Sequence, residues 1–496
     1  MAQQMKKLAQ DTAIYGVSSI LGKFLNWMLM PFYTFFLAGG PADYGIVTNL
    51  YAWTSLLLVI LTYGMETGFF RFANKNKEQE RDVYGNTLVS VGITSLIFTA
   101  LCFIFENQIS GFLGYTSNPE FITMMGVTVA IDAFACIPFA YLRYQNRPIK
   151  FAALKMLYVV FNIILNLFFL VVCPWLMSKA PETINWFYNP NYGVGYVVVS
   201  NVIATIIQTI ILLPYIFVGK FNLDFKILKP ILQYSFPLLI LGVAGIMNQN
   251  LDKILFPFLR TGEIGKTELG IYGATSKIAM VMMMFTQAFR YAYEPFIFAQ
   301  HKDKNSLATY ADAMKFFIIF SLLIFLGMVL YIDVFKLIIH PDYWKGLDVV
   351  PIVLFSFIFQ GIFFNLSLWY KLTDKTIYGA WFSIFGTIII VIMNVVFVPV
   401  YGYMGCAWAA FVCYFSVMVV SYYFGQKYMP IKYDLKTIGL YSGVTILLYI
   451  ISMFINTSYQ VLDLLLKTIL MIAFFVILVK RDFPLKTIPG IKKFIK

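Results

Sequence analysis

The chain has 496 residues, of which 60% are hydrophobic and only 12% are charged. A soluble domain carries about 25% charged residues, so this composition excludes a soluble protein and indicates an integral membrane protein. The net charge of +13 does not indicate nucleic-acid binding, because the lysines and arginines lie mostly in short loops between apolar segments and form no single basic face.

Fourteen apolar segments are long enough to cross a bilayer, which requires about 20 residues each. No polar stretch between them is large enough for a soluble domain. The sequence therefore predicts an all-α polytopic membrane protein. The predicted spans cover residues 12–37, 45–70, 85–105, 121–142, 151–176, 193–218, 230–252, 269–293, 313–333, 347–370, 378–399, 403–424, 438–455 and 463–479.

The basic residues predict the orientation of these spans. When the loops are assigned to alternating sides, about 27 lysines and arginines lie on the side of the termini, among them those from Arg143 to Lys155, and about 6 lie on the other side. Loops rich in lysine and arginine remain cytoplasmic in multi-pass proteins. Both termini are therefore predicted to be cytoplasmic.

Two pairs of segments repeat along the chain. Pro31-Phe32 followed by Tyr44-Gly45-Ile46 is matched by Pro257-Phe258 followed by Leu269-Gly270-Ile271, at a separation near 225 residues. A Tyr-Gly segment at 192–195 precedes span six, and a similar segment at 401–405 precedes span twelve.

These repeats fall at corresponding places in spans 1–6 and 7–12, and both halves begin on the same side of the membrane. This pattern is typical of a parallel repeat in an alternating-access transporter. We therefore expect two pseudo-symmetric six-helix bundles, at 1–218 and 230–424, joined by a cytoplasmic linker at 219–229. Two additional helices and a basic cytoplasmic tail occupy 425–496.

Three basic residues inside the spans are candidates for binding an anionic group. Lys23 lies near the middle of span 1, Lys277 lies in the first half of span 8, and Arg290 lies in its cytoplasmic half. An ionisable group at membrane depth costs about 2.5–3.5 kcal/mol, so it is a functional candidate by default. Buried ion pairs or side chains that reach the interface are the alternative explanation.

A second set of ionisable residues lies near the ends of spans or beside a proline. These residues could act in gating or ion coupling, or they could form structural ion pairs. Arg290 and Glu294 have the i,i+4 spacing of a helical ion pair, and Asp252 with Lys253 could pair across the halves when an outer gate is shut. The gate or coupling candidates are Glu66, Arg71, Asp132, Asp252, Lys253 and Glu294.

Enzymatic signatures are absent from the sequence. The two histidines, His301 and His340, fit no metal-ligand spacing, and the five cysteines lie in apolar segments. No nucleotide-binding loop and no catalytic triad is visible. A polytopic glycosyltransferase or polymerase would need substantial outer loops, whereas these are short. The sequence therefore predicts a protein that is not an enzyme and has no cofactor or metal.

Several segments resemble a known family. Residues 234–238 (YSFPL), 250–253 (NLDK) and 269–279 (LGIYGATSKIA) are similar to spans 7 and 8 of the polysaccharide-exporter flippases. The residues Gly22-Lys23 and Asp43-Tyr44-Gly45 in the opening segment are also similar to that family. Its superfamily includes the multidrug and toxic compound extrusion transporters and the lipid II flippases.

The resemblance implies an alternating-access flippase of the bacterial inner membrane. Its substrate would be an oligosaccharide repeat unit on a polyprenyl diphosphate carrier, used for surface polysaccharides such as lipopolysaccharide. Membrane lipids, a polysaccharide polymerase and assembly proteins would be its partners, and nucleic acid would not. A cation-coupled multidrug exporter and a lipid II flippase of the same superfamily remain alternatives, and drug exporters usually have twelve spans and acidic binding residues.

Overall fold

The computed structural model describes residues 20–75, 77–219, 221, 223–300, 306–457 and 459–482, and the regular structure in this part of the chain is helical, without strands. The helix at 20–36 is α1. The others, α2 to α20 in chain order, are Gly40–Thr62, Met65–Lys75, Glu80–Ile104, Glu106–Leu113, Glu120–Tyr144, Pro148–Leu167, Cys173–Lys179, Val194–Ile216, Phe225–Leu259, Gly262–Ile278, Met280–Gln300, Ser306–Leu330, Ile332–Phe335, Val349–Leu366, Leu368–Leu372, Ile377–Tyr401, Tyr403–Tyr428, Leu435–Met453 and Gln460–Arg481.

The predicted all-α membrane architecture is confirmed. Within the described residues, twelve helical segments are long and apolar enough to cross a membrane, and α11 with α12 forms a thirteenth if the two are one broken span. The α1 helix corresponds to the first predicted span, of which residues 12–19 lie outside the described residues. Each of the fourteen predicted spans thus overlaps a helix or a pair of helices.

Local breaks divide some of these spans. Span 2 is interrupted between α2 and α3, where Tyr63 and Gly64 adopt positive φ angles of 31° and 72°. A Cβ atom at position 64 would lie 2.8 Å from the carbonyl oxygen of Ser235 on α10. Glycine therefore allows both the left-handed turn and the close approach of the two backbones. Span 8 is broken at Ala279, shortly after Lys277.

The chain forms two compact units. One contains the described residues of Met1–Lys277 together with Gly379–Cys413, and the other contains those of Ile278–Tyr378 and Tyr414–Lys496. In the first unit, α6 packs against α4, α7 and α9. Ala135, Phe139 and Leu142 of α6 form an apolar core with Leu154 and Leu212. The predicted division into two six-helix bundles stays a prediction.

An ion pair holds α20, the last helix, against the rest of the second unit. Lys467 on α20 is buried, and its ammonium lies 2.9 Å from Asp333 Oδ2. Tyr331 donates a hydrogen bond to Thr468 at 2.9 Å beside this pair. The hydrogen bond from Lys336 and the contact with Lys467 hold the pKa of the Asp333 carboxyl below its ordinary value.

Replacing Asp333 by alanine should lower the free energy of unfolding by about 2 kcal/mol, because it leaves the buried ammonium of Lys467 uncompensated. Lys467→Met should cost less, since the half-exposed carboxylate of Asp333 keeps its contact with Lys336. Thermal unfolding in detergent measures both. Because the pKa of Asp333 is depressed on folding, its stabilising effect is present above about pH 4 and is lost as the pH falls further. Equal costs for the two variants would contradict this account.

Candidate functional site

Two of the predicted cavity cations, Lys23 and Lys277, lie in the first unit on helices that contact each other. Lys23 is exposed on α1, one helical turn before Trp27. The indole Nε1 of Trp27 donates a hydrogen bond to the carbonyl oxygen of Lys277 at 2.7 Å. Lys277 is next to the break in span 8, where helical carbonyls lose their partners. Its ammonium lies 5.4 Å from the centre of the Tyr44 ring.

A third lysine, which is not a candidate on sequence alone, lies beside this region. Lys155 is exposed although it is about 10 Å along α7 from its first residue. Its Nζ lies 4.0 Å from the centre of the Phe139 ring. A Cβ atom on Gly22 would lie 3.3 Å from Cε of Met156, so α1 approaches α7 at the positions next to Lys23 and Lys155. Lys155 lies in the predicted span 151–176, and the helix that carries it begins earlier, at Pro148.

One face of α6 lies next to this lysine. Asp132, Cys136, Phe139 and Arg143 have the i, i+4, i+7 and i+11 spacing of a single helix face. Phe139 contacts Lys155, and Asp132 lies within electrostatic range of the same ammonium. The face therefore carries an acidic and a basic side chain along the inside of the first unit.

The charged residues at the ends of spans 2 and 4 do not pair as neighbours in sequence. Glu66 on α3 forms an ion pair with Arg143 on α6, 77 positions away. Arg71 instead places its guanidinium 4.1 Å from the centre of the Tyr234 ring on α10, in a cation–π contact. Both predicted gate candidates thus make contacts between spans, within the first unit.

A chain of hydroxyl and amide groups lies further along the spans. Tyr158 donates a hydrogen bond to Asn201 Oδ1, and Asn201 Nδ2 donates to the hydroxyl of Tyr51 at 3.2 Å. Tyr51 and Asn201 border a small cavity of about 30 Å³, which is room for about one water molecule. The other lining residues are Val47, Leu50, Thr54, Met125, Thr128, Val197 and Val198.

The two repeated Gly-Ile segments contact each other. A Cβ atom on Gly45 of α2 would overlap the carbonyl oxygen of Lys266, four residues before Gly270. A Cβ atom on Gly270 of α11 would overlap the carbonyl oxygen of Pro41, four residues before Gly45. The contact is reciprocal, as at a two-fold axis. We call the end of the helices that contains this crossing and the α1–α2 turn at 37–39 the outer end.

The two Tyr-Gly segments also have equivalent structures, because each places a glycine of positive φ next to a carboxylate. Gly193, just before α9, has a φ of 37°, and a Cβ atom there would lie 3.3 Å from Asp43 Oδ2. Gly402, just before α18, has a φ of 56°, and a Cβ atom there would overlap Glu268. Each carboxylate is thus close to a helix N-terminus, where negative charge is favourable. Neither acid is a candidate on sequence alone, although the separation near 225 residues of the first repeat relates Asp43 to Glu268.

Asp252 and Lys253 lie in a buried network at the outer end. The Lys253 ammonium lies 3.0 Å from Asp252 Oδ2, and Tyr272 donates a hydrogen bond to the same oxygen at 2.6 Å. Asn49 of α2 donates to the Lys253 carbonyl at 2.7 Å and accepts a hydrogen bond from Tyr115 at 2.6 Å. The acid and base therefore pair with each other. The contact with the first half of the sequence is the hydrogen bond from Asn49 to the backbone carbonyl of Lys253.

Arg290 belongs to the second unit. It lies on α12, and its guanidinium carbon is 5.3 Å from the centre of the Phe364 ring. Glu294, its predicted i,i+4 partner, falls on a position whose side chain is outside the described residues. Among the residues that the structure describes, no group of three or more His, Cys, Asp or Glu side chains could hold a metal ion.

Solved structures share this fold at low sequence identity. The "Lipid II flippase MurJ, inward closed conformation" has a TM-score of 0.73 and 13% identity, with 94% of this chain and 99% of that chain covered. An inward-facing MATE family multidrug transporter of the MOP superfamily has a TM-score of 0.64 and 13% identity, with 84% and 96% covered. The MATE multidrug transporter DinF-BH has a TM-score of 0.59 and 16% identity, with 85% and 97% covered.

The sequence comparisons identify a family. The comparison with curated proteins found no match. The family model described as "Polysaccharide biosynthesis protein" matches residues 8–301, which is more than half of the chain. This match shows that the chain belongs to the polysaccharide biosynthesis protein family.

Proposed function

We propose that this protein is an alternating-access flippase of the bacterial inner membrane. It moves oligosaccharide repeat units, linked to a polyprenyl diphosphate, across the membrane for surface polysaccharide biosynthesis. The family match and the helical membrane fold support this function. The carrier's diphosphate is anionic, and it requires fixed cations within a low-dielectric region, where charge-assisted contacts are strong.

One observation carries the proposal most directly. Trp27 holds α1 against the carbonyl of Lys277, and Gly22 places α1 against α7 beside Lys155. Lys23 and Lys155 are both exposed although both lie within helices that are predicted to span the membrane. The Lys277 carbonyl and Met156, the neighbour of Lys155, thus both contact α1 within four residues of Lys23, which supports a shared site for a diphosphate group. Arg290 is proposed as a further cation of the same transport path.

The two six-helix bundles at 1–218 and 230–424 are proposed as the moving halves, joined by the cytoplasmic segment 219–229 and followed by 425–496. The reciprocal contact of Gly45 and Gly270 supports this symmetry, because equivalent positions of the two halves meet there. Rocking of the halves would open the path to each side in turn. Glu66, Arg71, Asp132, Asp252, Lys253 and Glu294 are the proposed gate or coupling residues. Both termini are proposed to be cytoplasmic, from the distribution of basic residues.

The function can be tested in reconstituted vesicles. A fluorescent oligosaccharide on a polyprenyl diphosphate should be flipped by the intact protein, and Lys23→Gln or Lys277→Gln should slow flipping at least about tenfold, because each removes a charge-assisted contact worth roughly 1.5–3 kcal/mol. Lys432→Gln is a matched control, since Lys432 is exposed in the loop between α18 and α19. Normal flipping by both cavity variants would contradict the proposed cation role.

The same vesicles separate the remaining alternatives. Lipid II and a cationic dye should be moved much more slowly than the polyprenyl-diphosphate oligosaccharide. Preference for lipid II would indicate a lipid II flippase, and preference for the dye would indicate a multidrug exporter. Chemical conversion of the lipid-linked sugar would instead indicate a membrane glycosyltransferase or polymerase. In cells, deletion of the gene should remove surface polysaccharide and leave drug tolerance unchanged.

A further inference from the structure

The side chains around Lys155 include one aromatic ring and two carboxylates, and one of these carboxylates already has an ion-pair partner. Its ammonium lies against the Phe139 ring and within electrostatic range of two carboxylates, Asp132 and Glu66. Glu66 is already paired with Arg143. In the part of the chain that the structure describes, no side chain or carbonyl accepts a hydrogen bond from the Lys155 ammonium, so its three donors remain available.

Asp132 faces the same space from α6. It is partly exposed, one turn before Cys136 and two turns before Phe139, the residue that Lys155 contacts. Its carboxylate makes no hydrogen bond or ion pair with any described residue. Asp132 and Lys155 are therefore opposite charges that compensate each other across a gap without forming a direct ion pair.

We propose that Asp132 is the resident counter-charge of Lys155, which an incoming anionic headgroup displaces. The ligand class is a phosphate or diphosphate ester on an isoprenoid lipid, so this inference rests on the proposed function and deepens it. In the empty state, Asp132 offsets the positive charge of Lys155 within the membrane. When the headgroup arrives, its oxygens accept hydrogen bonds from the ammonium, and the repulsion from Asp132 weakens binding. This repulsion promotes release, because transport requires a site that is easy to leave as well as to enter.

The position of Lys155 allows one headgroup to reach two lysines. Met156, its neighbour, approaches Gly22 of α1, so Lys155 and Lys23 flank the same helix contact. A diphosphate has several oxygens and can accept from two ammonium groups at once.

The experiment measures binding of geranyl diphosphate to the full-length protein in lipid nanodiscs, with geraniol as the control for hydrocarbon binding. Asp132→Asn should bind geranyl diphosphate about tenfold more tightly, and Lys155→Gln about tenfold more weakly. In the double variant, the gain from Asp132→Asn should be lost. Asp312→Asn is the matched control, because Asp312 is an exposed carboxylate that pairs only with nearby Lys315 among the described residues.

Unchanged or weaker binding by Asp132→Asn would overturn the proposal. An equal gain in the Lys155→Gln background would also overturn it, because Asp132 would then act on the anion without Lys155. If Lys155→Gln fails to fold, Lys155→Arg replaces it, and Asp132→Asn should still tighten binding about tenfold in that background. Tighter binding of a cationic dye by the intact protein than by Asp132→Asn, with geranyl diphosphate unaffected, would identify Asp132 as a cation site instead.

Failure of this inference can be told apart from failure of the proposed function. If the intact protein flips no lipid-linked oligosaccharide and the variants still show the expected order of geranyl diphosphate affinity, the proposed substrate is wrong and the counter-charge stands. If the intact protein flips the substrate and Asp132→Asn binds geranyl diphosphate as the intact protein does, the counter-charge is wrong and the function stands.

Discussion

Gly270→Ala is expected to lower the free energy of unfolding by about 3 kcal/mol or more, and Gly45→Ala should have a similar effect. In each case the new methyl group would overlap a backbone carbonyl oxygen, of Pro41 or of Lys266. Backbone atoms of two packed helices cannot move aside as a flexible side chain can, so the helices must separate, and overpacking of this kind is costly. The loss is measured by heating the purified variants and determining the remaining folded protein by size-exclusion chromatography.

Two glycines provide a matched control for this substitution. Gly245 on α10 and Gly443 on α19 are helical, and a Cβ atom on either would meet nothing within 4 Å. Gly245→Ala and Gly443→Ala should be neutral or stabilising by up to about 1 kcal/mol, because alanine is the better helix former. If Gly45→Ala and Gly270→Ala behaved like these controls, the close crossing of α2 and α11 would be contradicted.

The second large effect is expected for Asp252→Ala. The carboxylate of Asp252 is buried and accepts hydrogen bonds from the Tyr272 hydroxyl, the Lys253 amide and the Lys253 ammonium. Its removal leaves these donors without their acceptor and the mostly buried ammonium without its counter-charge. Breaking a buried pair in this way costs about 3–5 kcal/mol. We expect a decrease of about 3 kcal/mol in the free energy of unfolding, measured by thermal unfolding in detergent.

Two comparisons distinguish the charge of Asp252 from its shape. Asp252→Asn retains an oxygen acceptor for Tyr272, so it should cost clearly less than Asp252→Ala. Asp312→Ala removes an exposed carboxylate and should change stability by no more than about 0.5 kcal/mol. If Asp252→Ala were as mild as Asp312→Ala, the network at the outer end would not contribute to stability.

The positions of the spans could be predicted from the sequence because the bilayer acts as a uniform apolar solvent. A helix must supply about 20 apolar residues to cross it, and this requirement is local. The predicted segments therefore overlap the observed helices from α1 to α20. Even the repeat was visible in the sequence, since Gly45 and Gly270 each follow a Pro-Phe pair at a similar distance and each precede an isoleucine. Its consequence, a direct contact between the two glycine-containing segments, required the structure.

The partners of the charged residues could not be predicted in this way. Glu66 has Arg71 nearby in sequence, yet it pairs with Arg143, and Arg71 contacts Tyr234. Lys155 falls within a predicted span, but its contact with the Phe139 ring of α6 could not be predicted from the sequence. The physical reason is that burial of a chain segment in lipid depends on its own composition. The partner of a charge depends on which helices pack together and on how each is rotated about its axis, and composition fixes neither.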